Sequence, residues 1–271
     1  MNRVADRGFS LKLSVFLFVS LVVLTVNIAA QKADAVVYYN LGCRCEADDF
    51  ECRIAYFTKA VELAPTLTEA FNNRGLAFYG KGDLEGAMQD FNRSIELSPN
   101  FSKGFYNRAV LQARRNDLEK AIADFGKAIE LSPSLTNAYI GRGNVYLKSK
   151  DYGAALRDFD KAIEIEPLYA EIYYNRGLVY FFKADFERAA KDFSDTIKLK
   201  PDFVPAYLNR GICYDKKGSS AEALADFSKF IELAPADYRG YSNRANIYAR
   251  LGENEKAAAD TRKVLELKRS S

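Results

Sequence analysis

A proline recurs every 34 residues along most of this chain, and no other feature constrains its fold as much. The six positions are Pro65, Pro99, Pro133, Pro167, Pro201 and Pro235. Other positions keep the same step: a small residue at Gly75, Ala109, Gly143, Gly177, Gly211 and Ala245, an alanine at Ala87, Ala121, Ala155, Ala189, Ala223 and Ala257, and a phenylalanine at Phe91, Phe125, Phe159, Phe193 and Phe227. Self-similarity at such a period indicates a linear array of small structural units.

Each repeat contains the signals of two helices. A small residue marks the place where the two helices cross, and the proline ends the second helix because it cannot continue the hydrogen-bond ladder. In the repeat that begins at residue 170, we predict helices over 171–183 and 187–200.

The pattern resembles the tetratricopeptide repeat family over nearly all of residues 36–271. Six full repeats span 68–268, a degenerate repeat spans 36–67, and 269–271 form a C-terminal tail. The resemblance implies an all-α fold, a right-handed superhelical solenoid of antiparallel helix pairs. It also implies that the first helix of each pair lines a concave groove that binds peptides or partner proteins. The match is specific for the fold and says little about the partner.

An arginine occupies the seventh position of every full repeat, where the family usually has leucine, and an aspartate follows sixteen residues later. The pairs are Arg74 and Asp90, Arg108 and Asp124, Arg142 and Asp158, Arg176 and Asp192, Arg210 and Asp226, and Arg244 and Asp260. If the helices pair as in the family, each carboxylate meets a guanidinium in the bidentate geometry that arginine favours. We interpret the pairs as structural; arginines that read a ligand in the groove are the alternative.

Asparagine stands immediately before five of these arginines, on the predicted groove. The predicted peptide-binding residues are Asn73, Asn107, Asn144, Asn175, Asn209 and Asn243, together with the apolar residues Tyr174, Leu178 and Phe181. An asparagine amide can donate to one backbone carbonyl of an extended peptide and accept from one backbone N–H. The alternative is that the amides bond neighbouring helices and that the rings pack. Relatives that clamp a peptide carboxylate use a first-helix lysine, and that position holds no lysine in any full repeat.

The N-terminus has the order of a secretory signal. Three basic residues lie within 1–12, the uncharged apolar run 13–30 follows, and Ala33–Ala35 form an A-x-A site that predicts cleavage after residue 35. The apolar run also reaches the lower limit for a membrane span, so an uncleaved signal anchor is the alternative. In both cases we expect residues 36–271 to be exported, secreted or periplasmic, with membrane contact only through residues 13–30.

Three cysteines cluster in the degenerate repeat. Export makes a disulfide plausible there, and we predict that Cys52 pairs with Cys43 or Cys45 and leaves one thiol over. A zinc site is disfavoured because a fourth ligand is missing and the chain has no histidine. Cys213 is expected to be a small core side chain.

Composition argues against catalysis. The absence of histidine removes the usual general base, and a formal net charge of +3 offers no bulk attraction for nucleic acid. We therefore expect no enzyme activity, no cofactor and no metal. The predicted function is an exported scaffold that binds an extended peptide or partner protein in the groove. The alternative is a membrane-tethered assembly factor that uses its convex surface or its end repeats. The oligomeric state is left open.

Overall fold

The computed structural model describes residues 25–26 and 29–269. All regular secondary structure in that part of the chain is α-helical, which confirms the predicted all-α class. The chain divides into two compact units, an N-terminal unit that ends at Leu131 and a C-terminal unit that begins at Ser132. Among the described helices, none combines the length and the apolar character that crossing a membrane requires.

The N-terminal unit is a series of helix pairs. Its helices are α1 (29–44), α2 (Phe50–Leu63), α3 (Thr68–Lys81), α4 (Leu84–Leu97), α5 (Ser102–Arg114) and α6 (Leu118–Leu131). Odd-numbered helices are the first helices of the repeats, and even-numbered helices are the second. α3 packs on α4 and α5 on α6, while α2 and α4 also pack on the first helix that follows each of them. The first helices α3 and α5 contact each other directly.

The C-terminal unit repeats this arrangement over four further pairs. Its helices are α7 (Thr136–Lys148), α8 (Tyr152–Ile165), α9 (Ala170–Phe182), α10 (Phe186–Leu199), α11 (Val204–Lys216), α12 (Ser220–Leu233), α13 (Tyr238–Arg250) and α14 (Asn254–Arg269). α9 and α10 begin and end within one residue of the predicted helices. First helices again contact each other, α7 with α9 and α11 with α13.

In the full repeats whose small residue is glycine, this glycine and the phenylalanine of the repeat meet where the two helices cross. Phe193 is fully buried, and a Cβ added to Gly177 would lie 2.8 Å from its ring. The same relation holds between Gly211 and Phe227, at 2.7 Å. Even a methyl group is tight at this crossing, which explains why only glycine or alanine occupies the position.

Two predicted boundaries fall near the limits of the description. The predicted signal, residues 1–35, lies mostly outside the described residues, and its last part belongs to α1. Ala35, the predicted cleavage position, is fully buried within that helix. At the other end, α14 extends to Arg269, and the last two residues of the predicted tail lie outside the described part.

Candidate binding surface on the first helices

The six repeated arginines each hold the aspartate sixteen residues later in a bidentate ion pair. In Arg74, Nε donates to Asp90 Oδ2 and Nη2 donates to Oδ1, both at 2.8 Å. The other five pairs have the same geometry, with distances of 2.7–2.9 Å. Each pair therefore links the first helix of a repeat to the second helix of the same repeat.

A third hydrogen bond from most of these guanidiniums reaches the preceding repeat. Nη1 of Arg210 donates to Ser194 Oγ at 3.0 Å, and Nη1 of Arg176 donates to Asp160 Oδ1 at 2.7 Å. The corresponding acceptors elsewhere are Thr58, Asn92 and Ser228. Sequence reasoning missed this contact, although the signal was present as a polar side chain sixteen residues before the arginine. The arginine thus connects three helices.

Aromatic rings complete the surroundings of the arginines. The Arg210 guanidinium carbon lies 5.8 Å from the ring centroids of both Tyr207 and Tyr214, three residues before and four residues after it. Rings at one or both of these positions flank the other five arginines as well. In most of these arginines, all three guanidinium nitrogens donate within the protein and the guanidinium also stacks on rings. The arginines therefore serve helix packing.

Burial weakens the benefit of these ion pairs. Desolvation raises the pKa of Asp90 and Asp192 above the usual value for aspartate, although the hydrogen bonds from Arg74 and Arg176 act in the opposite direction. On the other partner, the hydrogen bonds to Asp226 raise the pKa of Arg210. The free-energy cost of removing the two charges from water therefore offsets much of the attraction within each pair, as is general for buried ion pairs.

In the N-terminal unit, the predicted groove residues Asn73 and Asn107 are joined through Asn72, which was not predicted to line the groove. Asn107 Nδ2 donates to Asn72 Oδ1 at 2.7 Å, Asn72 Nδ2 donates to Asn73 Oδ1 at 3.1 Å, and Asn73 Nδ2 donates to the Tyr39 hydroxyl at 3.1 Å. Asn72 is buried, with 3% of its surface exposed. The chain of amides joins α1, α3 and α5, so here the asparagines connect neighbouring helices.

In the C-terminal unit, the asparagines differ from one another. Asn209 Nδ2 donates to the Tyr174 hydroxyl of the preceding repeat at 3.0 Å, and Asn243 Nδ2 donates to the carbonyl of Arg239 in its own helix. Within residues 29–269, the side chains of Asn175 and of the exposed Asn144 have no hydrogen-bond partner. These two amides are therefore available to a ligand.

The predicted apolar cluster is largely part of the helix packing. Tyr174 contacts the rings of Phe193 and Phe203, with centroids 5.7 and 4.8 Å away, and burial raises its pKa. Leu178 and Phe181 are half-buried against the core formed by Ala189, Phe193 and their neighbours. The exposed ring at this place is Phe182, the last residue of α9, with 58% of its surface exposed.

The cysteine cluster forms one disulfide. Cys45 is bonded to Cys52, with Cα atoms 6.1 Å apart, which selects one of the two predicted pairings. Cys43 is left as an exposed thiol, with its Sγ 3.9 Å from Asn73 Nδ2. Cys213 is fully buried, and burial raises its pKa to about 12. No cluster of metal-ligating side chains occurs among the residues that the structure describes.

Comparison with family models identifies similarity to tetratricopeptide repeats along the array. Models described as tetratricopeptide repeat match residues 68–101, 91–123, 179–238 and 215–271, and a model described as TPR repeat matches 112–150 and 143–182. None of the curated proteins compared matches the chain.

Several solved structures share the fold. YrrB, described as a TPR protein with an unusual peptide-binding site, is 28% identical over 67% of this chain and 93% of its own, with a TM-score of 0.59. MamA is 27% identical over 61% of this chain and 91% of its own, with a TM-score of 0.57. A tetratricopeptide repeat protein from Parabacteroides merdae is 20% identical, covers 89% of this chain and 93% of its own, and has a TM-score of 0.63. Because the identity is this low, the likeness to the Parabacteroides merdae protein shows a shared fold and nothing about function.

Proposed function

Because tetratricopeptide repeat models together match residues 68–271, the chain belongs to the tetratricopeptide repeat family, and we propose that it is a scaffold that binds a partner protein through the surface of its first helices. The partner segment lies extended along this surface, and amide side chains hold its main chain. The likeness to YrrB, whose description names a peptide-binding site, supports this assignment. Activity as an enzyme is not part of the proposal.

The amide of Asn175 carries the proposal. It lies half-buried on α9 without a partner in residues 29–269, whereas the equivalent amide of Asn209 on α11 donates to Tyr174. The Asn175 amide is only partly covered, so water can bond it in the free protein and a partner's main chain can replace that water. Asn175 is therefore positioned to hold a partner's main chain, and Asn209 serves the packing of two repeats.

We further propose that the folded repeats act outside the cytoplasm. The signal-like residues 1–35 support export, and the Cys45–Cys52 disulfide suits an oxidising compartment. The proposal includes both fates of the signal, cleavage near residue 35 or retention as an anchor through 13–30.

The two asparagines provide a matched test. A partner is first isolated from the exported fraction with the folded protein as bait, and its affinity for variants is then measured by calorimetry. We expect Asn175→Ala to weaken binding of the captured partner by roughly 1–3 kcal/mol and to leave the unfolding midpoint unchanged. Asn209→Ala is expected to lower stability by about 1 kcal/mol and to change affinity little, because its lost hydrogen bond joins α11 to α9.

A second candidate surface is the C-terminal end of the array. Leu265 on α14 is 54% exposed, whereas Ile197 and Ile231, at the same position of earlier repeats, are half-buried. An assembly factor that uses its end repeats would bind there. If Asn175→Ala leaves the affinity for the partner unchanged and Leu265→Asp abolishes it, the partner binds at this end and not on the first helices.

A further inference from the structure

At the ends of three first helices in the C-terminal unit lie exposed lysines that form no ion pair within the described part of the chain. Lys148 on α7, Lys183 after α9 and Lys216 on α11 are exposed, and none of them has an ion-pair partner among residues 29–269. At the corresponding positions of the N-terminal unit, Lys81 pairs with Glu51 and Arg115 with Glu85, at 2.6 and 2.9 Å, and Arg114 stacks on a ring. Free positive charge is thus concentrated on one edge of the C-terminal unit.

Contacts at equivalent positions fix where this edge faces. Arg250, the last residue of α13, pairs with Asp215 near the end of α11, and Arg114, the last residue of α5, lies 4.9 Å from the Tyr79 ring near the end of α3. Each last residue therefore leans towards the end of the preceding first helix. The same register directs Lys216 towards Phe181, which precedes the exposed Phe182 at the end of α9.

The acidic residues around this place are already occupied. Lys217 pairs with Glu187, and Asp185 caps α10 and pairs with Arg188, which lowers the pKa of Asp185. A shallow surface recess of about 480 Å³ is lined by Lys183, Ala184, Asp185, Phe186, Glu187 and Lys217. The remaining surface therefore combines an exposed aromatic ring with ammonium groups that form no ion pair with the described residues.

We propose that the end of α9 and the adjoining end of α11 bind an acidic protein segment that carries an apolar side chain. Its carboxylates pair with Lys183 and Lys216, and its apolar side chain packs on Phe182. An amphipathic acidic segment is the occupant that satisfies both features, since a purely apolar one leaves the cations unpaired and a basic one is repelled. This inference rests on the proposed scaffold function and specifies the chemistry of the partner.

The probe for the test is a short fluorescein-labelled peptide rich in glutamate with one leucine. Binding to the full chain is followed by fluorescence anisotropy at low and high salt. We expect the peptide to bind, the affinity to fall as salt screens the charges, and the charge-reversed variant Lys183→Glu with Lys216→Glu to lose about tenfold in affinity. Phe182→Ala is expected to lower the affinity for this peptide. The affinity for a second peptide, with alanine in place of the leucine, is expected to stay the same.

The matched control reverses Lys191 and Lys198, two exposed lysines on the second helix α10 that likewise form no ion pair among residues 29–269. This control variant has the same net charge as the test variant, and its affinity for the glutamate peptide is expected to equal that of the unmodified protein. Equal weakening by both variants, equal binding of a lysine-rich peptide, or equal binding of an RNA oligonucleotide would overturn the inference. If the Asn175→Ala variant nevertheless loses the captured partner, the scaffold function stands and only the acidic chemistry fails.

Discussion

At the scale of single residues, the repeated arginine is a packing device. It replaces an apolar residue at a position between two helices, and its charge is acceptable there because two carboxylate oxygens, a polar neighbour from the preceding repeat and one or two rings surround it in most repeats. The cost of this arrangement is desolvation, so such a pair specifies which helices pack together more than it adds net stability. Removing one partner is therefore worse than removing both.

The Arg142–Asp158 pair tests this directly, because among residues 29–269 Arg142 hydrogen-bonds to Asp158 alone. We expect Asp158→Ala to lower the free energy of unfolding by about 2–4 kcal/mol, since it leaves a half-buried guanidinium without its carboxylate. The double variant Arg142→Leu with Asp158→Ala, which restores the apolar residue usual for the family, is expected to lose less. Urea unfolding provides the measurement. A double variant less stable than the single one would mean that the pair stabilises the fold in its own right.

At the scale of the helix pair, the turn between first and second helices needs one residue with positive φ. Six positions spaced by 34 residues adopt it, three with glycine and three with other residues: Gly82, Asn116, Lys150, Ala184, Gly218 and Gly252. A left-handed conformation costs roughly 1–2 kcal/mol for a residue with a Cβ. The repeats with alanine and lysine therefore carry strain that the turns with glycine avoid.

Ala184 and Gly218 form a reciprocal pair of tests for this strain. At φ 58°, Ala184→Gly is expected to raise stability by about 0.5–1 kcal/mol, the relief of strain less the added freedom of the unfolded chain. Gly218→Ala, at φ 80° with no atom within 4 Å of the added Cβ, is expected to lower it by a similar amount through the backbone alone. Thermal unfolding of the two variants gives the signs. Equal signs would show that the turns do not share one conformation in solution.

At the scale of the whole molecule, the N-terminal repeat joins the predicted signal to the array. The helix α1 runs through Ala35, so cleavage after this residue shortens α1 to its last part, which the Cys45–Cys52 disulfide ties to α2. A disulfide that closes so short a loop contributes on the order of 2–3 kcal/mol. Export and the integrity of this repeat are therefore linked.

Mass spectrometry of the native protein tests both the cleavage of the signal and the disulfide. We expect an N-terminus near Val36 in an extracytoplasmic fraction, with Cys45 bonded to Cys52 before reduction. A full-length protein held in the membrane fraction would support the anchored form instead. A full-length soluble protein in the cytoplasm with all thiols reduced would contradict the export proposal.

The sequence by itself determined the helix pairs and the partnership of each arginine with an aspartate. These features depend on spacing within one repeat, which is visible in the sequence because it recurs every 34 residues. As an example, α9 and α10 begin and end within one residue of the predicted positions. The crossing of Gly177 with Phe193 was readable for the same reason, since a small residue and a ring recur in step.

Only the tertiary structure decided what depends on the neighbouring repeat. Asn175 and Asn209 occupy the same sequence position, yet Asn209 bonds the hydroxyl of Tyr174 in the repeat before it and Asn175 has no partner in residues 29–269. The residue one repeat back sets the difference, because Tyr174 carries a hydroxyl and its counterpart before Asn175 is the apolar Ile140. The choice of Cys45 over Cys43 for Cys52 likewise depends on the path of the turn between α1 and α2, where Cys45 lies. Periodicity specifies which side chains a helix presents, whereas contact between helices decides which of them remain free to bind.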